Sequence, residues 1–207
     1  MITQHQPTDH RMNLIKNCIN LANIEAGGMV GGIVSTSQRC IIDNCINVGT
    51  ITTNFGASWT GGGGIISEVI GDVGITILNC VNIGTIKNAI TLPSIHFNAF
   101  GGIVGRASNL TIDNCINYGY VKSSYTGELG GVGGIVGVIS GGYWESYASI
   151  TNSINVGVIE SNERKGCLIG YNRYIEGTIR KNPIIINNNY WDKQMCPHDE
   201  IGEDTNK

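Results

Sequence analysis

The sequence predicts an all-β fold, a single-stranded parallel β-helix (β-solenoid), taken as right-handed, of about 5–6 coils of 27–38 residues. Three observations predict it. Two short phrases recur in alternation along the chain. Both phrases are rich in Ile and Val and are bounded by Gly and Asn. Only 14% of the 207 residues are charged, while 30 are glycine.

The first phrase is Asn-Cys-Ile-Asn-x-Gly-x-Ile. It begins at Asn17 and returns at Asn44, Asn79 and Asn114, then as Asn152-Ser153-Ile154-Asn155, with a degenerate copy at Asn188-Asn189-Tyr190-Trp191. The successive intervals are 27, 35, 35, 38 and 36 residues. The second phrase, Gly-Gly-Ile-Val, starts at Gly31, Gly63, Gly101 and Gly133, with Gly166-Cys167-Leu168-Ile169 as the fifth copy. A fixed period of this length marks a repeat architecture in which one repeat is one structural unit. Short Ile/Val runs between turn residues read as strands. No segment carries a sustained 3.6-residue period with caps, so almost no helix is predicted. Coils stack at the strand spacing of about 4.8 Å, as parallel sheets. The rival all-β folds, sandwiches and propellers, usually show Asn-Gly or Asp-Gly hairpins, and none occurs.

The composition follows from stacking. In-register coils place like residues above like, so a repeated charge would repel itself. Asn and Gly tolerate the left-handed backbone of tight corners. Stacked Asn side chains can form hydrogen-bonded ladders. The expected structural ladder comprises Asn20, Asn47, Asn82, Asn117 and Asn155, beside a buried stack of free thiols at Cys18, Cys45, Cys80 and Cys115. Stacked Cβ atoms lie farther apart than a disulfide prefers. Cys40, Cys167 and Cys196 fall outside this ladder. Cys196-Pro197-His198 is a metal half-site without a second pair, so no metal and no cofactor are expected.

These phrases resemble the GLUG-type repeat. Gly101 to Gly105 with Ile112 to Val121, and Gly133 to Gly137 with Ile150 to Ile159, carry the resemblance best. The closing Asn189-Tyr190-Trp191-Asp192-Lys193 is also similar to the end of such arrays. The resemblance covers about residues 13–192. It implies a β-solenoid in an adhesin-like surface protein, with a scaffold or binding role and no catalytic residue. No apolar leader precedes Lys16, so a cytoplasmic site stands beside a secreted or cell-surface one.

Three divisions follow: 1–14 as an N-terminal cap or leader, 15–192 as the repeat domain, and 193–207 as a C-terminal tail whose Asp199, Glu200, Glu203 and Asp204 are solvated. Thirteen basic against 16 acidic residues give no positive field for nucleic acid. No run of about 18 apolar residues crosses a membrane. The stacked acids Asp43 and Asp113 are separated by Leu78 and read as corner caps rather than as a catalytic pair. The variable inserts concentrate the aromatic residues. Phe55, Trp59, His96, Phe97, Phe100 and Tyr125 lie on one edge, and Tyr143, Trp144, Tyr147, Tyr171 and Tyr174 on another. Exposed aromatics beside polar groups suit recognition of a glycan or a host-surface protein. The expected function is therefore a non-enzymatic scaffold or binding module. The alternatives are a polysaccharide-cleaving β-helix enzyme and a self-associating structural protein.

Overall fold

The structure, a computed structural model, describes residues 12–54, 59–71, 74–89, 97–124, 130–140, 147–162, 164–173 and 184–205. It is an all-β parallel solenoid. The first coil has five strands, Asn13–Lys16, Ile19–Asn20, Ile24–Ala26, Met29–Gly31 and Val34–Ser37. The later coils repeat this set, so the described strands stack into five parallel sheets of five or six strands. We number the sheets one to five in the order in which the first coil visits them. Register follows the repeat: Ile19, Ile46, Val81, Ile116, Ile154 and Tyr190 form one row of sheet two. About four turns are covered by a neighbour on both sides, slightly fewer than the five to six coils expected, because the outermost strands belong to the ends.

Each coil turns its corner at the first Asn of the first phrase. Asn17, Asn44, Asn79, Asn114, Asn152 and Asn188 all have φ between 51° and 57°. Asn is tolerated in this left-handed region because its short polar side chain bonds locally. Here it bonds the neighbouring coil: Asn44 Nδ2 donates to Asn17 Oδ1 at 2.8 Å, and Asn114 Nδ2 donates to Asn79 Oδ1 at 2.7 Å.

The second Asn of the phrase points inward and forms the expected ladder. Asn20, Asn47, Asn82 and Asn117 each donate Nδ2 to the Oδ1 of the next rung at 2.8 Å, ending on Asn155. The same amides bond the carbonyl two residues on, as Asn82 does with Gly84 at 2.9 Å. Every rung from Asn47 to Asn155 is fully buried, and its polar atoms are satisfied within the stack.

The second phrase folds back sharply from sheet four to sheet five, and its second glycine abuts the ladder. A Cβ on Gly32 would stand 2.5 Å from Asn47 Oδ1, and one on Gly102 2.5 Å from Asn117 Oδ1. Sheet two and the glycine arc therefore touch across the middle of the coil. This pinch divides the interior in two. One core lies between sheets one and five, around Ile42, Ile77, Ile112, Ile66 and Val104. The other lies between sheets three and four, around Ile51, Ile86, Val121 and Phe100.

The thiol position also has a polar role. Cys45 N–H donates to Cys80 Sγ at 3.4 Å, and Cys80 Sγ–H donates to Leu78 O at 3.1 Å. Ser153 occupies the same position, accepting from Cys115 N–H at 3.2 Å and donating to Thr151 O at 2.8 Å. The position needs a small group that both accepts and donates. Cys18, Cys40, Cys45, Cys80 and Cys115 are free thiols, and Cys18, at the end of the stack, is exposed.

Three features depart from the sequence reading. Cys167 and Cys196, which fall outside the thiol ladder and for which no bond was expected, form a disulfide. The described part of the C-terminal segment, 193–205, is not a simple solvated tail: Ile201–Asp204 is the sixth strand of sheet five. Asn172 Nδ2 donates to Asp204 Oδ1 at 2.8 Å, and Glu203 pairs with Arg164. The bar on stacked charge is not absolute either, since Lys87 and Lys122 are register neighbours. They lie on the solvent side of sheet three, and Glu160 on the next rung holds Lys122 at 2.8 Å.

Candidate functional site

The variable segments follow the last residues of sheet three in the chain. Their anchors stack. Asn54 N–H donates to Ala26 O at 3.1 Å, Ala89 N–H to Thr53 O at 2.9 Å, and Ser124 N–H to Asn88 Oδ1 at 2.8 Å. The last described residues before successive segments thus stack on one edge, rung above rung. Chain re-enters at sheet four, where Trp59 and Phe97 are register partners on adjacent coils. The topology brings these two candidate residues together at the same edge.

Phe100 leaves the candidate set. It is fully buried in the core between sheets three and four. Its rung-mates in sheet four are Gly62 and Val132. A Cβ on Gly62 would come within 3.0 Å of the Phe100 ring, so the ring fills space that the neighbouring coil leaves empty. Tyr171 is also buried, packed with Ala99 and Val138, and Arg164 lies 4.4 Å over its ring. Tyr147 stays exposed. Phe55, His96, Tyr125, Tyr143, Trp144 and Tyr174 lie outside the described residues.

The acids are corner caps. Asp43 pairs with Lys16 at 2.7 Å and accepts from Asn79 Nδ2 at 2.8 Å. Those two partners hold its carboxyl below the usual range. Asp113 accepts from Thr151 Oγ1 and Asn152 Nδ2, each at 2.7 Å. Leu78 sits between the two acids in the register. Among the described residues, no group of three His, Cys, Asp or Glu could hold a metal ion. No described helix is long and apolar enough to cross a membrane.

Two further features escape sequence reasoning. A hollow of about 210 Å³ lies on the outer face of sheet five, lined by Glu68, Ile70, Arg106, Ser108 and Ser140. Arg106 reaches Glu68 at 3.4 Å and donates Nε–H to Ser140 Oγ at 3.0 Å, while burial outweighs the Glu68 charge and pushes the guanidinium below its ordinary range. The second feature is the outer face of sheet two. The x of Asn-Cys-Ile-Asn-x-Gly is Leu21 in the first coil, then Val48, Ile83 and Tyr118, and each of the four is exposed. The signal was visible as an apolar residue at x in the first five copies, but a strand period alone does not say which face is solvated.

The fold and the repeat define a β-solenoid repeat protein. No family model, curated protein or solved structure matches the chain.

Proposed function

We propose that the chain is a non-enzymatic binding scaffold, an adhesin-like module of the GLUG-repeat type that contacts its ligand through the variable segments at the junction of sheets three and four. The stacked anchors at Asn54, Ala89 and Ser124, with Trp59 and Phe97 in register beside them, carry this reading. A rigid stack with loops gathered on one edge is the usual way a repeat fold presents a binding surface. The stacked acids Asp43 and Asp113 are engaged in corner caps, which favours binding over hydrolysis by that pair. The Cys167–Cys196 disulfide supports a secreted or cell-surface location, because such bonds persist in oxidising compartments. A glycan array and a panel of host-surface proteins test the proposal. Binding that falls at least about tenfold in Trp59→Ala and Phe97→Ala is expected. Binding that ignores both substitutions refutes the assigned edge. Release of reducing ends from a polysaccharide would favour the enzyme alternative.

A further inference from the structure

We infer that the outer face of sheet two is a self-association surface whose partner is a second copy of this chain. The inference is independent of the ligand edge proposed above. Two adjacent rows on this face are apolar on every rung from Ile19 to Val156. Ile19, Leu21, Val48, Ile83, Tyr118 and Tyr190 are exposed, Leu21 at 74% and Tyr118 at 55%. No charged side chain interrupts either row until Asp192, which follows Trp191 on the last rung.

Area sets the kind of partner. With the half-buried rung-mates between them, these side chains leave on the order of 800 Å² open, close to the share each partner gives a standard-size interface. That exceeds the ~300–600 Å² of the largest patch on a typical monomer.

Periodicity sets its identity. Both rows rise with the coil spacing of about 4.8 Å. A second copy turned by a two-fold axis that lies in the plane of the contact, at right angles to the stacking direction, presents the same rows at the same rise. Side chains of one copy then fall between rungs of the other along the whole stack. Two-fold contacts of this kind are isologous and close at the dimer, so the assembly stops there. A partner without this period matches one or two rungs and leaves the rest wet.

Sedimentation of the full 207-residue chain across about 1–100 μM tests the inference. A reversible dimer is expected. Ile83→Lys and Tyr118→Lys should each weaken it by about 30-fold or more, as loss of a central apolar anchor does. Val48→Gln is a milder variant for use if either lysine variant folds poorly, which far-ultraviolet circular dichroism reports. Thr111→Lys, on the outer face of sheet one, should leave the dimer unchanged. A monomer at every concentration overturns the inference. A dimer that survives all three sheet-two substitutions overturns it as well, and places the contact elsewhere, such as the coil ends.

Discussion

Gly64 and Asn82 are in such close approach that a Cβ on the glycine would lie 2.6 Å from Asn82 Oδ1. Each residue belongs to a different repeat phrase. The two phrases recur together because they are the two sides of one contact. The Asn ladder runs inside the coil only where the opposing arc has no side chain, and the arc is close enough to need glycine only because the ladder is there.

Gly102→Ala tests this contact. Its Cβ would overlap Gly134 O as well as Asn117 Oδ1, and a backbone atom cannot rotate away. We expect a loss of more than about 3 kcal/mol in chemical denaturation, the scale of overpacking compounded by backbone displacement.

Asn117→Asp separates hydrogen bonding from packing, since the two side chains match in volume. The carboxyl loses the amide that donates to Gly119 O at 3.0 Å and to Asn155 Oδ1 at 2.8 Å. A buried acceptor then faces a buried acceptor. A cost of about 3 kcal/mol or more is expected from the lost bonds and the burial of an unpaired group. A change under about 1 kcal/mol would show that the ladder is decorative.

The thiol stack gives a paired prediction. Cys80→Ser keeps the donor and acceptor that Ser153 provides naturally and should cost little. Cys80→Val keeps the volume but strands the Cys45 N–H, at about 1–3 kcal/mol. Titration of the unfolded, unreduced chain should find five thiols. In the native state Cys18 should react first, because burial pushes the Cys45 thiol up to about 11 and its thiolate is scarce at neutral pH.

Stability should fall at both extremes of pH. Asp43 has its carboxyl lowered by Lys16 and Asn79 from an ordinary 3.8, so its contribution is complete above that value and is lost as pH falls below it. Asp43→Asn should flatten the acid limb of a melting curve. The Cys45 thiol is raised from 9.0 to about 11, so its contribution is complete below pH 9 and is lost on rising towards 11. Melting temperatures that stay level from pH 9 to 11 would contradict its burial.

Reduction of the Cys167–Cys196 bond, or Cys196→Ser, should destabilise the C-terminal end. The bond closes a loop with a sequence separation of 29 residues, which in the chain-entropy account contributes about 3–4 kcal/mol. Hydrogen exchange should show the loss in Ile169–Arg173 and Ile201–Asp204 before it reaches the central coils.

The period, the corners and both ladders were legible because each is a residue type repeated at one position. Asn20 to Asn155 and Cys18 to Cys115 could be aligned by eye. Phe100 was misread because an aromatic beside a variable insert looks like a loop residue. Nothing local says that sheet four lies against a second core. The disulfide was missed for the opposite reason. Cys167 stands where the repeat has its second glycine, and Trp191 stands where it has its ladder Asn. The two sides of the contact change together at the last rung, and Trp191 packs against both cores there. A departure from a repeat carries meaning only once its partner across the coil is known.

Because every internal rung is joined by the same Asn–Gly contact, the coils are interchangeable parts. Excising residues 79–113 would set Asn114 where Asn79 now stands and shorten the molecule by one coil spacing, about 4.8 Å. The protein is in this sense a ruler, with graduations set by the asparagine rungs and a length fixed by how many the sequence writes.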